Sequence, residues 1–253
     1  MYDYLLGGLN NFAADRVAVE RVLAYLPQQR ASAIENRRFI DRAVRFLAAP
    51  AQGITQFLDV GAGLPTKQSV HEVARWVNPA SRVAYVDYDP VVVSHGKAML
   101  AERECSVFAQ ADLRDPVSLL HNPEIRQHLD FSRPVGLIVV NVMPWIPDPD
   151  RPQDILKVLL DALAPGSYLV LTHMSVDQIG SADMESVKRA ARVFEGASAP
   201  LTFRSRDEIL CLFDGWALVP PGLVTKHEWR PDPSTPAPSF NPDLTFAGIA
   251  SKS

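Results

Sequence analysis

The chain has 253 residues, a formal net charge of −4 at pH 7 and two cysteines, Cys105 and Cys211. This length can bury a full core within one large α/β domain, and the mild negative charge argues against nucleic acid or an anionic membrane as the main partner. No apolar run is long enough to cross a bilayer, residues 1–20 lack the layout of a signal peptide, and two cysteines indicate neither a disulfide framework nor a zinc cluster. We therefore expect a soluble, cytoplasmic enzyme without a metal site.

The first 50 residues predict helices that follow an unusual opening. Helical periodicity runs at about Ala14–Leu26 and Ser32–Ala48. Ahead of it, Tyr2 and Tyr4 stand close to a glycine pair that begins at Gly7, a composition that would suit a flap over a bound ligand. The alternative is a terminus that is merely frayed or docked. We predict a helical cap over residues 1–50, with Tyr2 and Gly7 touching a cofactor and Tyr4 near the reaction.

Residues 54–173 alternate short apolar runs with helical segments. This alternation indicates a mostly parallel sheet with helices on both faces, and ligands of such sheets bind beyond the carboxyl ends of the strands. The predicted strands are Thr55–Val60, Arg82–Asp87, Ser106–Gln110, Val135–Val140 and Tyr168–Thr172, and the helices between them lie near Val70–Val77, Val91–Arg103 and Gln153–Leu163.

The first of these strands ends in an acid and a glycine turn, with Asp59 ahead of Gly61 and Gly63. Glycine lets the backbone approach a ligand closely, because it has no Cβ. A carboxylate beside the turn would repel a pyrophosphate but suits a cationic amino-acid ligand, and Thr66 stands where a dinucleotide fingerprint expects a third glycine. The turn therefore favours S-adenosylmethionine over NAD, although similar turns also occur without a ligand.

The next two strands end in further acids. Asp87 closes the second strand at a distance from the glycine turn that fits a βαβ unit, so its carboxylate can accept hydrogen bonds from both ribose hydroxyls. Tyr88 beside it is a further predicted cofactor contact. Asp89 precedes a proline and fits the cap of the following helix instead. After the third strand, Asp112 could accept the adenine amino proton while the backbone N–H of Leu113 reaches the ring nitrogen.

The fourth and fifth strands lead to candidates for the reactive end of the site. Asn141 could offer its amide, and Trp145 could form an apolar wall and stabilise a sulfonium through cation–π attraction, unless it is only a core residue. His173 ends the fifth strand and could act as a general base, although a lone histidine is more often structural. The histidines show no paired spacing for a metal, and the chain has neither a P-loop nor a Gly-x-Ser-x-Gly elbow.

Residues 174–253 predict two more helices and two strands. The helices lie near Met184–Phe194 and Arg206–Phe213, and the strands near Trp216–Trp229 and Leu244–Ala250. The proline-rich connection Arg230–Pro242 cannot be a helix, so we expect an extended surface loop. Too little chain follows it for a separate domain, and residues 51–253 are predicted to form one globular unit.

Four sequence blocks carry a resemblance to a known family. They are Tyr2-Asp3-Tyr4-Leu5-Leu6-Gly7-Gly8 with Asn11-Phe12-Ala13-Ala14-Asp15; Phe57-Leu58-Asp59-Val60-Gly61-Ala62-Gly63-Leu64-Pro65-Thr66; Val86-Asp87-Tyr88-Asp89-Pro90; and Phe213-Asp214-Gly215 with Trp229-Arg230-Pro231. The chain resembles class I S-adenosylmethionine-dependent methyltransferases, and it is similar to an actinobacterial-type subfamily formerly catalogued as a domain of unknown function. The resemblance implies a Rossmann-like α/β fold with a seven-stranded, mostly parallel sheet that ends in a hairpin. It also implies cofactor contacts at Asp59, Gly61, Gly63, Asp87 and Asp112.

The chain departs from this subfamily around the reactive end of the cofactor. Relatives usually begin well before the Tyr-Asp-Tyr block, and after the fourth strand they carry a His-aromatic pair where this chain has Pro144-Trp145. The leading expectation is methyl transfer to a small molecule, in small-molecule or secondary metabolism. The second is a cyclase or lyase reaction in which the cofactor's own amine attacks its γ-carbon, releasing methylthioadenosine and a small cyclic amino acid. The third is a cofactor-binding protein without chemistry. The oligomeric state is not predicted.

Overall fold

The computed structural model describes residues 1–65, 68–101, 104–194, 200–233 and 244–253, with the side chains of residues 181 and 182 left aside. Within these ranges the α-helices are α1 (Tyr2–Leu5), α2 (Ala13–Tyr25), α3 (Gln29–Ala48), α4 (Val70–Val77), α5 (Pro90–Leu100), α6 (Pro116–His121), α7 (Pro123–His128), α8 (Pro152–Ala162), α9 (Ser181–Arg192) and α10 (Arg206–Cys211). The strands are β1 (Gln56–Val60), β2 (Arg82–Asp87), β3 (Ser106–Gln110), β4 (Gly136–Val140), β5 (Tyr168–Met174), β6 (Ala217–Leu218), β7 (Val224–Thr225) and β8 (Thr245–Ser251). Short 3₁₀ turns occur at Met143–Trp145, Asp148–Asp150 and Lys226–Glu228.

The strands form one mixed sheet in the order β3-β2-β1-β4-β5-β8-β6, with β7 also paired to β8. Strands β1 to β5 are parallel, and β8 is antiparallel to its neighbours. The register sets Asp59 of β1 beside Tyr85 of β2 and Ile138 of β4. Since the strand order reverses between β1 and β4, the carboxyl end of β1 is the switch point at which ligands of such sheets bind. The predicted Rossmann-like class is confirmed.

The prediction of one strand over Trp216–Trp229 is wrong. This stretch forms only the short strands β6 and β7, separated by a turn in which Gly222 has a φ of 94°. Two prolines precede this glycine, and proline has no N–H to donate to a ladder, so a continuous strand cannot form there. Over the residues that the structure describes, the sheet therefore has eight strands, because β6 and β7 stand in place of the first strand of the predicted hairpin.

Helices α6 and α7 were not predicted. Each has six residues, too few for an apolar repeat to be recognised. The side chain of Asp115 accepts a hydrogen bond from the backbone N–H of Ser118, and that of Asn122 accepts one from Glu124. A proline follows each of these caps, so local capping starts both helices.

The hydrophobic core lies on both faces of the sheet. Helices α6, α7, α8 and α10 contribute to the cluster on one face, and α3, α4 and α5 contribute to the cluster on the other. Helix α2 packs instead on α9, where Val22 and Leu26 meet Val187 and Ala190. Helix α3 thus belongs to the core of the sheet, whereas α1 and α2 lie outside it. The division of the chain at residue 50 stays a prediction.

Three further sequence-based expectations concern a proline-rich loop, a membrane-spanning helix and a metal site. Beyond residue 233, the predicted loop Arg230–Pro242 falls outside the ranges given above. In the part of the chain that the structure covers, no helix is long and apolar enough to cross a membrane. Over the same part, no group of three or more His, Cys, Asp or Glu side chains is arranged to hold a metal ion.

Candidate functional site

The glycine turn follows β1 and is held against the end of β2. Gly61 and Gly63 have φ values of 70° and 63°, in the left-handed region that favours glycine. The N–H of Gly61 donates to the carbonyl of Val86 at 2.8 Å, and a Cβ on Gly61 would stand 2.4 Å from a methyl carbon of Val142. A Cβ on Gly63 would have no atom within 4 Å. Gly61 is therefore required by packing, while Gly63 faces open space that a ligand can enter.

Asp87 fixes this turn to the end of β2. Its Oδ2 accepts a hydrogen bond from the N–H of Gly63 at 2.9 Å, and its Oδ1 accepts one from the N–H of Asp89 at 3.0 Å. Each carboxylate oxygen retains a lone pair for a further donor. Asp89 accepts from the N–H of Val91 at 2.8 Å, so its predicted role as the cap of α5 is confirmed. Asp87 thus lies beside the glycine turn with capacity for ligand hydroxyls.

A small pocket at the carboxyl end of β1 contains opposite charges. Arg37, Asp59, Gly63 and Tyr85 are among the residues that line it. Burial raises the pKa of Asp59 to about 7, and the negative charge of Asp87 adds to this effect while the positive charge of Arg37 opposes it. The pocket thus offers an anion and a cation together, which is the complement of the ammonium and carboxylate of an amino acid.

Arg37 is a residue that the sequence analysis missed. It lies on α3, and its Nη2 donates to the carbonyl of Gln68 in the loop after β1 at 2.8 Å. In the sequence it is one of several arginines on the polar side of a helix, and no motif joins it to Asp59, 22 residues away. Only the packing of α3 beside the sheet brings the guanidinium to the pocket.

The predicted adenine contacts follow β3, where Asp112 is already paired. Arg114 places its Nε 3.0 Å from both carboxylate oxygens of Asp112 and its Nη2 2.6 Å from Oδ2. These hydrogen bonds hold the pKa of Asp112 below its usual value. The Arg114 guanidinium also lies 5.7 Å from the ring centre of Tyr88, which is half exposed, while Leu113 is buried. The role of Asp112 toward adenine stays a prediction, and it requires sharing the carboxylate with Arg114.

Tyr2 reaches α3 close to the pocket. Its hydroxyl donates to the carbonyl of Ala33 at 3.1 Å and accepts from Nδ2 of Asn36 at 3.1 Å. Burial raises the pKa of Tyr2, and the charge of Arg37 is near enough to lower it in part. The structure therefore docks Tyr2 on the same helix that carries Arg37, and its predicted contact with the cofactor stays a prediction.

The rest of the N-terminal opening is bound to α2 and α3. The hydroxyl of Tyr4 donates to Glu20 at 2.8 Å, and the guanidinium of Arg30 lies 5.4 Å from the Tyr4 ring centre. Gly7 has a φ of 77° and open space beside it. A Cβ on the next residue, Gly8, would collide with the side chain of Asp3 at 2.0 Å. The opening is thus a packed turn docked on the helices, and the predicted roles of Tyr4 and Gly7 stay predictions.

The loop after β4 begins with a backbone turn at Asn141. This residue has a φ of 60°, which costs about 1–2 kcal/mol for a non-glycine residue and which asparagine tolerates best. Its N–H donates to Oγ1 of Thr172 on β5 at 2.9 Å. Further along, the ring of Trp145 meets Phe194 edge-on at a centroid distance of 5.2 Å. Trp145 is only partly buried, so it can serve as a wall of the site as well as a core residue.

His173 is engaged through both ring nitrogens. Its Nδ1 lies 2.8 Å from the carbonyl of Met174, and its Nε2 lies 2.7 Å from Nη1 of Arg204. Arginine only donates, so Nε2 is the acceptor and Nδ1 carries the proton. Burial lowers the pKa of His173 to about 4. This geometry gives no support to the predicted general base, because the nitrogen that would take a proton is already occupied.

Arg204 is the second residue that the sequence analysis missed. It is 3% exposed and donates to the carbonyls of Met143 and Ile146 at 3.2 and 2.9 Å and to Asp148 at 2.6 Å. Together with its bond to His173, these contacts tie the loop after β4 to the end of β5. No sequence motif signals such a residue, since half of its partners are backbone carbonyls.

Taken together, these residues fit S-adenosylmethionine. The charges of Asp59 and Arg37 match its amino-acid end, Asp87 has acceptor capacity for the ribose hydroxyls, and the space at Gly63 admits a ligand beside the backbone. The polar atoms of Tyr2, Tyr4 and His173 are bound to other parts of the protein.

Comparisons with known proteins agree with this fit. A family model described as S-adenosyl methyltransferase matches residues 1–253. The crystal structure of a proposed methyltransferase from Thermobifida fusca YX is 41% identical, with a TM-score of 0.90 over 99% of this chain and 92% of its own. The crystal structure of a DUF574 family protein from Streptomyces avermitilis MA-4680 is 35% identical, with a TM-score of 0.92, and the match covers 100% of this chain and 95% of that protein. Human N-acetylserotonin methyltransferase, solved with S-adenosylmethionine, shares the fold alone, at 14% identity and a TM-score of 0.54. The match covers 100% of this chain and 62% of that protein. No curated protein matches the sequence.

Proposed function

The chain belongs to the S-adenosyl methyltransferase family, and from this premise we propose that it transfers the methyl group of S-adenosylmethionine to a small-molecule acceptor. The observation that carries the proposal is the pocket at the end of β1, in which Asp59 and Arg37 present opposite charges. The bound cofactor supplies an activated sulfonium methyl group, so the protein has to bind, align and exclude water.

The amino-acid end and the ribose are assigned to the residues around the glycine turn. Asp59 receives the ammonium, and Arg37 binds the carboxylate through its planar pair of N–H donors. Asp87 accepts the ribose hydroxyls while it keeps the N–H of Gly63 in place. The adenine is assigned to Asp112 and to the backbone N–H of Leu113, which follow β3. The adenine amino group then shares the Asp112 carboxylate with Arg114.

The reactive end is assigned to the loop after β4 and the N-terminal opening. Asn141 and Trp145 lie on this loop, and Trp145 with Phe194 offers an apolar wall. We assign His173 a positioning role, since it helps Arg204 to hold this loop. Tyr2 docks on α3, the helix that also carries Arg37, and we assign the N-terminal opening the role of covering the site.

The experiment that tests the proposal follows the fate of the cofactor by mass spectrometry. With pools of small acceptors, we expect S-adenosylhomocysteine and an acceptor that is heavier by one methylene unit, in equal amounts. An Asp87→Asn variant, which removes a carboxylate acceptor from the ribose hydroxyls and from the N–H groups of Gly63 and Asp89, should lose most of this turnover. Release of methylthioadenosine from cofactor alone would identify the cyclase reaction instead. Cofactor binding by calorimetry without any product would identify a binding protein, and either outcome would overturn the proposal.

The affinity for S-adenosylmethionine is expected to depend on pH through Asp59. The pKa of this carboxyl is about 7, raised chiefly by burial, and its protonated form cannot pair with the cofactor ammonium. Binding below pH 7 must expel that proton, so the affinity should rise about tenfold per pH unit from about 5.5 to 7 and then level. The calorimetric titrations should cover pH values up to about 7.5 only, because the α-amine of the cofactor loses its own proton at about 7.7–8.0.

A control ligand separates Asp59 from its neighbours. Methylthioadenosine has the same nucleoside but no amino-acid end, so its affinity should show no such rise. An Asp59→Asn variant should bind S-adenosylmethionine weakly at every pH in this range. If the affinities of both ligands rose equally with pH, the titrating group would be Asp87, whose pKa is also raised by burial. That result would contradict the assignment of the pH dependence to Asp59.

A further inference from the structure

We propose a second ligand site, for a small molecule that carries two or more phosphate groups, at the amino ends of β1 and β2. A cavity of about 550 Å³ opens there, larger than the pocket at the carboxyl end of β1 and within the usual range of about 300–1,000 Å³ for small-molecule sites. At about 3.3 Å per residue, the five residues of β1 separate the two places by about 15 Å. The cavity is therefore distinct from the cofactor site.

The cavity concentrates positive charge. Arg82, Arg126 and Arg133 line it, and among the residues that the structure describes none of the three forms a salt bridge. The acid in its wall is Asp130, whose Oδ1 accepts from the N–H and the hydroxyl of Ser132 at 3.0 and 2.6 Å. Three exposed arginine side chains thus line the cavity together with one exposed carboxylate, which is hydrogen-bonded within its own turn.

The wall that carries these charges is fixed to the sheet. The Nε2 of Gln56 donates to the carbonyl of Asp130 at 3.0 Å, and the N–H of Asp130 donates back to Oε1 of Gln56 at 2.7 Å. On the same wall, the guanidinium of Arg126 lies 5.4 Å from the ring centre of Phe131. The backbone of this wall is therefore held in place before a ligand binds.

The chemistry of the donors selects phosphate. The planar fork of arginine matches pairs of phosphate oxygens, and a cleft lined by one sign of charge concentrates ions of the other sign. Three guanidinium groups and this volume suit a diphosphate or triphosphate better than a single phosphate. The basic surface does not extend into a track for a nucleic acid, because Glu124, on the same helix as Arg126, is paired with Lys97 and the chain as a whole is acidic.

The test uses calorimetry on the full chain at low salt, with inorganic pyrophosphate and ADP as probes. Saturating S-adenosylhomocysteine is included so that ADP cannot report binding at the adenosine site. We expect saturable binding of one pyrophosphate or one ADP, weakened about tenfold or more by Arg126→Gln and by Arg133→Gln. Tighter binding of ADP would indicate a nucleotide, and binding of pyrophosphate alone would indicate an inorganic anion.

Arg21→Gln provides the matched control, since it removes the same charge from an exposed arginine on α2. It should leave the affinity for both probes unchanged, and all three variants should bind S-adenosylhomocysteine as the unaltered protein does. Absence of saturable binding to the unaltered protein, or equal weakening by Arg21→Gln, would overturn the proposal. Preferred binding of a short RNA that competes with pyrophosphate would also overturn it.

Discussion

Replacement of Arg204 with methionine is expected to lower the free energy of unfolding by about 3 kcal/mol or more. The side chain is buried and donates to Nε2 of His173 and to the carbonyls of Met143 and Ile146. Methionine fills similar space but leaves three buried acceptors without a donor, at about 1 kcal/mol or more for each. Urea denaturation at pH 7 measures the change, and the slope against urea concentration should stay the same.

Asp148 provides the control for this prediction. Its carboxylate bonds to Arg204 at 2.6 Å but is 76% exposed. Since the Asp148 carboxylate is largely hydrated and the amide oxygen of asparagine can still accept from Arg204, Asp148→Asn should cost less than about 1 kcal/mol. If Arg204→Met were no more destabilising than Asp148→Asn, the buried acceptors could not be the reason that Arg204 is needed. A stable Arg204→Met protein with normal methyl transfer would also remove the positioning role proposed for His173.

Replacement of Arg37 with methionine is expected to weaken the binding of S-adenosylmethionine by about ten- to hundredfold. A hydrogen bond between charged partners contributes about 1.5–3 kcal/mol, which corresponds to this range. Decarboxylated S-adenosylmethionine lacks the group that Arg37 is proposed to bind. It should therefore bind the unaltered protein about as weakly as S-adenosylmethionine binds the variant, and the variant should hardly distinguish the two ligands.

The neighbouring residue Arg38 offers a matched control for Arg37. It lies on the same helix but is half exposed, and its Nη1 is 3.4 Å from Glu35. Arg38→Met should keep the full preference for the carboxylated ligand. If Arg37→Met kept the same preference, the carboxylate would bind elsewhere. If the unaltered protein bound neither ligand, the proposed function itself would fail. Calorimetry with the two ligands therefore distinguishes a wrong role for Arg37 from a wrong function.

Several features of the fold could be predicted from the sequence because their causes are local. The glycine turn after β1 needs only a strand, two left-handed residues and no Cβ at Gly61. The start of α5 needs only Asp89 and the proline that follows it. Apolar runs alternating with helical periodicity predicted the five parallel strands to within two residues at each end. The apolar residues of Trp216–Trp229 predicted one strand, but two prolines and a glycine interrupt it. The hydrogen-bond ladder of a strand depends on backbone N–H donors as well as on apolar side chains.

What the sequence by itself determined about this protein is the Asp59–Gly63 turn, the acid Asp87 at the next strand end and the family to which these belong. The tertiary structure decided which charges act together. It brought Arg37 from α3 to the pocket that contains Asp59, and it placed Arg204 within hydrogen-bond distance of Nε2 of His173. The physical reason is that a turn or a cap depends on neighbours in the chain. The pKa of a carboxyl or an imidazole depends instead on burial and on charges contributed by distant elements.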